Sequence, residues 1–342
     1  MTPDEPLARI RGQLVRRSPN SALSTAQVGL VPWPREGASN WVDTSFLQAT
    51  FEHERERETP NVKRQTPNSM SEIPPLCLNR IIMPQLSLPE FFHVAADLGF
   101  ESVELRNDLA GQEILDGLPD DALRELLNAT GIEPLTINAL YPFEDVQSLD
   151  TNLLKLNGLI AEAKRISCSQ IVLCPFNDVT DPRSPAQRAD QLVTALNAFG
   201  PLFAEAKMTG LIEPLGFSVS ALRTKREALA GISQCDYPAS YNLVHDTFHH
   251  YLGDETDFFP AETALVHVSG VLPGKAKSAT TDGDRVLVTG DDIVDNRGQV
   301  ATLINAGYTG PFSYEPFSQE VQGLSVTTLK TDLRKSIEYL FS

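Results

Sequence analysis

The sequence predicts an α/β fold: a (β/α)8 TIM barrel behind an N-terminal extension. Beyond Pro75, short apolar runs alternate with longer segments of helical period, and eight such runs fall within residues 76–342. A TIM barrel takes about 250 residues. The runs are near-continuously apolar instead of alternating, as parallel strands buried on both faces require. The rival, a doubly wound open sheet, would carry a glycine-rich phosphate loop after an early strand. Neither GxGxxG nor GxxxxGK[ST] occurs.

The first strand is expected in Leu76–Ile82 (LCLNRII), before a helix over Leu88–Gly99 in which Pro89 suits the first turn. The second, Phe100–Arg106 (FESVELR), precedes a helix over Asp120–Gly131 that Gly131 closes as a C-cap. The third, Glu133–Leu140 (EPLTINAL), leads to a helix over Leu149–Ser167, and the fourth, Ser169–Phe176 (SQIVLCPF), to one over Ala186–Met208. Strands five to eight lie in Thr209–Phe217, Ala239–His250, Thr263–Val271 and Gly310–Phe317. Helical segments Arg223–Ser233, Asp291–Ala306 and Thr327–Leu340 fill the later gaps, and the connection after strand six, Tyr251–Phe259, reads as short and irregular.

Residues 1–75 differ in kind. They hold nine of the 24 prolines, both tryptophans and equal numbers of each charge, without sustained apolar periodicity. A mostly disordered extension is expected, with the barrel domain over 76–342. Asp4, Glu5 and the lack of an apolar stretch near the start argue against a secretory signal. The net charge of −17 therefore falls on 76–342 and disfavours nucleic acid and anionic membrane surfaces as partners. A hydrophobic fraction of 41% describes a globular chain with a core, and no run approaches the ~18 apolar residues of a membrane span. The four cysteines are scattered, which fits a reducing, cytoplasmic setting better than a disulfide framework or a cysteine zinc site.

A barrel places its reactive groups at the C-terminal ends of its strands. Strands five to eight end in Glu213, Asp246, His267 and Glu315, four metal-capable side chains around one half of the barrel mouth. Three converging carboxylates would repel and raise one another's pKa; a divalent cation removes the conflict. One imidazole with three hard carboxylates favours Mn²⁺ or Mg²⁺, with Co²⁺ or Zn²⁺ as rivals. Four of the six histidines fall within Tyr241–Val268 and the residues between them. The D-x-x-H step from Asp246 brings His249 into the mouth, whereas His245 points to the opposite side of the sheet. Arg106, Asn107 and Asn138, at the ends of strands two and three, are positioned to hydrogen-bond a polyol, an Arg106–Asp108 pair being the alternative.

The segments SVELRNDL, LTINAL, VLCPFND, GLIEPLGF, LVHDTFHH, LVHVSGV and SYEPF resemble the xylose-isomerase-like sugar isomerases and epimerases. The resemblance covers Leu76 to the C-terminus and runs most closely to the inosose (2-keto-myo-inositol) isomerase branch. It implies metal ligation by Glu213, Asp246, His267 and Glu315, and catalysis by Glu213 and Glu315 from opposite sides of the substrate. It further implies substrate binding by His249 and by Arg285. A small-molecule keto-polyol or ketose substrate, a role in inositol or other carbohydrate catabolism and a homo-oligomer follow in the same way. Related 3-epimerases and hydroxypyruvate isomerases use the same groups. A three-zinc nuclease of the endonuclease IV type shares the barrel but needs histidines on strands two and three, where this sequence has Arg106, Asn107 and Asn138.

The residues themselves suggest the chemistry. Moving a carbonyl to a neighbouring carbon requires loss of a weakly acidic C–H proton. A Lewis acid stabilises the resulting enediolate, and positioned carboxylates move the proton.

Overall fold

The computed structural model describes residues 73–342. The extension expected over 1–75 lies outside the described residues except for its last three. Ten strands are β1 (Leu76–Asn79), β2 (Ser102–Arg106), β3 (Glu133–Leu140), β4 (Gln170–Leu173), β5 (Thr209–Ile212), β6 (Tyr241–Asp246), β7 (Thr263–Val268), β8 (Gly270–Val271), β9 (Arg285–Val286) and β10 (Phe312–Tyr314). Eight of them close into a barrel in the order β1-β10-β7-β6-β5-β4-β3-β2, while β8 and β9 form a separate antiparallel pair. Neighbours in the barrel run parallel throughout.

The helices are α1 (Leu88–Leu98), α2 (Asp120–Thr130), α3 (Leu149–Arg165), α4 (Pro185–Ala206), α5 (Lys225–Gln234), α6 (Thr247–Leu252), α7 (Asn296–Asn305), α8 (Gln319–Gln322) and α9 (Val326–Phe341). Local chemistry sets their ends. Ser87 with Glu90, Ser184 with Gln187 and Thr224 with Glu227 make capping boxes at the starts of α1, α4 and α5. Gly131 closes α2 in the left-handed region at φ +67, as the sequence predicts. No helix among the described residues is long and apolar enough to cross a membrane.

Three expectations need correction. Arg80–Ile82 turns into a 3-10 helix because the Asn79 side chain accepts from the Ile81 amide and ends the strand. Strand six, expected to run on to His250, ends at Asp246, which caps α6 through the His249 amide; beyond Leu252 the connection to Phe259 is irregular, as expected. Strand seven, expected over Thr263–Val271, stops at Val268, and Gly270–Val271 leaves the barrel to pair with β9.

The period-two rule of a strand sorts the barrel interior into layers. Val172, Leu211, Val244 and Leu265, one from each of β4 to β7, form an apolar plug. Two residues further on, the same inward face carries Cys174, Glu213, Asp246 and His267. On β10, β2 and β3 the corresponding lower positions are polar and buried: Ser313, Glu104 and Thr136. Two residues beyond these stand Glu315, Arg106 and Asn138. Half of the interior is thus oily and half is built of hydrogen-bonding groups, with the mouth directly above.

Candidate metal centre

Each inward residue follows from strand register. Asp246 is paired with His267, and His267 with Ser313, across β6, β7 and β10. Glu213 and Glu315 stand one residue past their strands, where their amides donate the final ladder bonds to the Leu173 and Val268 carbonyls. One ligand atom from each of Glu213, Asp246, His267 and Glu315 lies within 4.8 Å of all the others. His267 Nδ1 is 2.8 Å from Glu213 Oε1, 3.1 Å from Glu315 Oε2 and 3.7 Å from Asp246 Oδ2. All four side chains are buried.

Two buried guanidiniums brace the carboxylates. Arg285 donates through Nη2 to Asp246 Oδ2 at 2.7 Å and Glu315 Oε2 at 2.9 Å, and through Nε to Ser269. Arg106 donates through Nη1 to Glu315 Oε1 at 2.9 Å and forks onto half-exposed Asp108. Both lie over the Phe317 ring, at 5.0 and 4.8 Å from its centroid, and Phe248 faces Arg285 at 5.1 Å. Asn138 Nδ2 lies 3.4 Å from Glu315 Oε1, and Asn79 Nδ2 donates to the same oxygen at 3.0 Å.

The remaining sequence candidates divide. His249 is buried against Phe217 and Phe248, and its Nδ1 has no hydrogen-bond partner. Asn107 does not serve as expected. Its exposed side chain pairs with both backbone groups of Ala139, tying the ends of β2 and β3 together. His245 does turn to the far side of the sheet, bonding Gln299 and stacking on Phe258. His250 sits beside it on Lys225 Nζ, away from the mouth.

Two residues at the site escaped the sequence reading. Glu104 is fully buried and lies 3.0 Å from His267 Nε2. Cys174 donates its thiol to Glu213 Oε2 at 3.3 Å. Their signal was present: each is the inward residue of an apolar run, and Glu104 is a charge in the middle of SVELR.

Electrostatics set the protonation states. Burial alone would raise the carboxyl of Asp246, but the Arg285 guanidinium, with His249 and His267, holds it far below the usual carboxylate range. Burial is likewise overridden at Glu315 by His267, Arg285 and Arg106, which bring its pKa down to about 2. His267 moves the other way. Against the pull of burial, Glu104, Glu315 and Glu213 hold its pKa well above that of a free imidazole.

The donor set fits a divalent cation. Metal ligation requires a neutral His267. Among the described residues, the buried cations bonded to the carboxylates Glu104, Glu213, Asp246 and Glu315 are then the two guanidiniums Arg106 and Arg285. The surplus of two negative charges is the charge of one divalent ion. The same surplus explains the raised pKa of His267, which recruits a proton for the same electrostatic reason.

The family model described as xylose isomerase-like TIM barrel matches residues 92–342. No curated protein matches the sequence. Among solved structures, a xylose isomerase domain-containing protein from Salmonella typhimurium LT2 is similar at 34% identity and TM-score 0.73, over 79% of this chain and 98% of that one. The IolI protein with a bound zinc atom is similar in fold at 19% identity and TM-score 0.68, over 78% and 97% of the two chains. D-psicose 3-epimerase from Clostridium cellulolyticum H10, with D-tagatose, is similar in fold at 13% identity and TM-score 0.59, over 77% and 97%.

Proposed function

Because this chain belongs to the xylose isomerase-like TIM barrel family, we propose that it is a divalent-metal-dependent isomerase of a neutral, inosose-like keto-polyol, moving the carbonyl to a neighbouring carbon through an enediolate. The observation that carries this reading is the buried surplus of two negative charges, centred where the four ligand atoms converge. Glu213, Asp246, His267 and Glu315 would hold the ion, and their three hard carboxylates suit Mn²⁺ or Mg²⁺. Such an ion supplies Lewis-acid stabilisation of the charge that develops on the substrate oxygens.

The chain's own groups do the rest. The carboxylates of Glu213 and Glu315 take the proton from the carbon beside the carbonyl and return it to the neighbouring carbon, a contribution of about 10²–10⁴-fold. The partnerless Nδ1 of His249 offers a hydrogen bond to a substrate hydroxyl, and Asn138 lies within reach of the same mouth. Arg106 and Arg285 hold Glu315 and Asp246 in place. Their edges are committed to Glu315, Asp246, Asp108 and Asp282, so neither is free to meet an anionic substrate. That commitment favours a neutral polyol over hydroxypyruvate.

The test is incubation of the Mn²⁺-loaded protein in D₂O with inosose, fructose, tagatose and hydroxypyruvate. Deuterium is expected in inosose. Deuterium in a ketose with inversion at its third carbon would make the protein an epimerase, exchange in hydroxypyruvate alone would overturn the neutral-substrate reading, and exchange nowhere would refute the proposal. Glu315→Gln should abolish the exchange; a variant exchanging at the wild-type rate would remove Glu315 from the mechanism.

A further inference from the structure

We infer that Glu104 is a positioning residue for the metal centre: its carboxylate fixes the His267 tautomer, so that Nδ1 presents a lone pair to the cation. The inference rests on the metal reading above and adds a residue to it. The imidazole lies between two acidic groups of different geometry. Its Nδ1 faces Glu213, Glu315 and Asp246, while its Nε2 faces Glu104, 3.0 Å from Oε1 and 3.2 Å from Oε2. A neutral imidazole carries one N–H. A proton on Nδ1 would block the ligand position, whereas a proton on Nε2 is donated to Glu104 and leaves Nδ1 free. An outer carboxylate of this kind orients a ligating histidine and raises its basicity.

Glu104 is not a fifth ligand, because it lies on the far side of the ring and outside the converging set. Its own position is fixed from three strands. Asn79 Nδ2 donates to Oε1 at 3.2 Å, Thr136 Oγ1 donates to Oε2 at 2.7 Å, and Ser313 donates to Oε1. Asn79, Glu104 and Thr136 stand in register on β1, β2 and β3, which points all three inward at one height. Ser313 is in register with His267 itself. A buried carboxylate is costly unless hydrogen-bonded, and here each donor also removes one way for it to turn. What this cradle leaves Glu104 to do is accept from His267.

The experiment is Mn²⁺ titration of the full chain and of Glu104→Gln, which keeps the shape and removes the charge. The dissociation constant is expected to rise about 10–100-fold in the variant, with the metal-free melting temperature little changed. An unchanged dissociation constant, or a fall in melting temperature with affinity intact, overturns the inference and leaves the functional proposal standing. A wild-type chain that binds no Mn²⁺ overturns both. A second measurement does not depend on the variant folding. In ¹⁵N-histidine-labelled wild-type protein loaded with Zn²⁺, the imidazole whose resonances shift on loading should carry its proton on Nε2; a proton on Nδ1 overturns the inference.

Discussion

Glu213→Gln separates a metal centre from an ordinary ion-pair cluster, because the two give opposite signs. The four ligand atoms lie within 4.8 Å of one another, and like charges about 4 Å apart repel by ~4 kcal/mol at an effective dielectric of about 20. Glu213 takes two such repulsions, from Asp246 and Glu315. Among the described residues no guanidinium pairs with it; the cation bonded to it is His267 at 2.8 Å, and Arg285 attracts it from farther off. Removing its charge relieves the two repulsions and forfeits the attraction, so the metal-free protein should gain about 1–3 kcal/mol, allowing for that cancellation. At ~2–4 °C per kcal/mol for a domain of this size, the metal-free melting temperature should rise by roughly 2–12 °C. Metal reverses the ranking. A ligand at about 100 times its Kd stabilises the wild type by ~2.7 kcal/mol, and the variant should lose most of that gain. The assay is calorimetric unfolding of both proteins in EDTA and in MnCl₂. A variant less stable than wild type in EDTA, yet raised as far by Mn²⁺, would refute the reasoning.

The pH dependence of metal binding follows from His267. Its pKa is raised in the metal-free protein, and only the neutral ring ligates, so affinity should fall as pH drops and binding should release a proton. Calorimetric titrations with Mn²⁺ in buffers of different ionisation enthalpy measure that release; affinity that climbs on acidification would contradict it. Gly216→Ala should reduce activity without touching a ligand. A Cβ there would fall on the His249 carbonyl and the Gly253 amide, both backbone atoms that can yield only by shifting the end of α6, and with it His249. A variant with wild-type KM and kcat would show that α6 accommodates it. Deleting residues 1–69 should leave deuterium exchange intact, as the absence of apolar periodicity in that stretch implies; loss of exchange would show that the extension serves the site.

The sequence alone determined the eight strands, the barrel and the four ligand candidates, because each depends on local spacing. Period-two alternation decides which residues point inward, and the strand ends mark the mouth, so Glu213, Asp246, His267 and Glu315 could be read without coordinates. The bracing around them depends on closure of the ring. Glu104 and His267 are 163 positions apart, and Arg106 and Glu315 are 209 apart. No periodicity links residues so distant; they meet because β1 pairs with β10 and the pleat of each strand then fixes which side chains share a height. Asn107 stood at a strand end as Arg106 and Asn138 do, yet it faces outward and binds backbone, which only the twist and register of β2 against β3 could decide. Residue type and spacing select the groups that can bind a cation, whereas the closed sheet decides which of them are braced, by what, and with how much uncompensated charge.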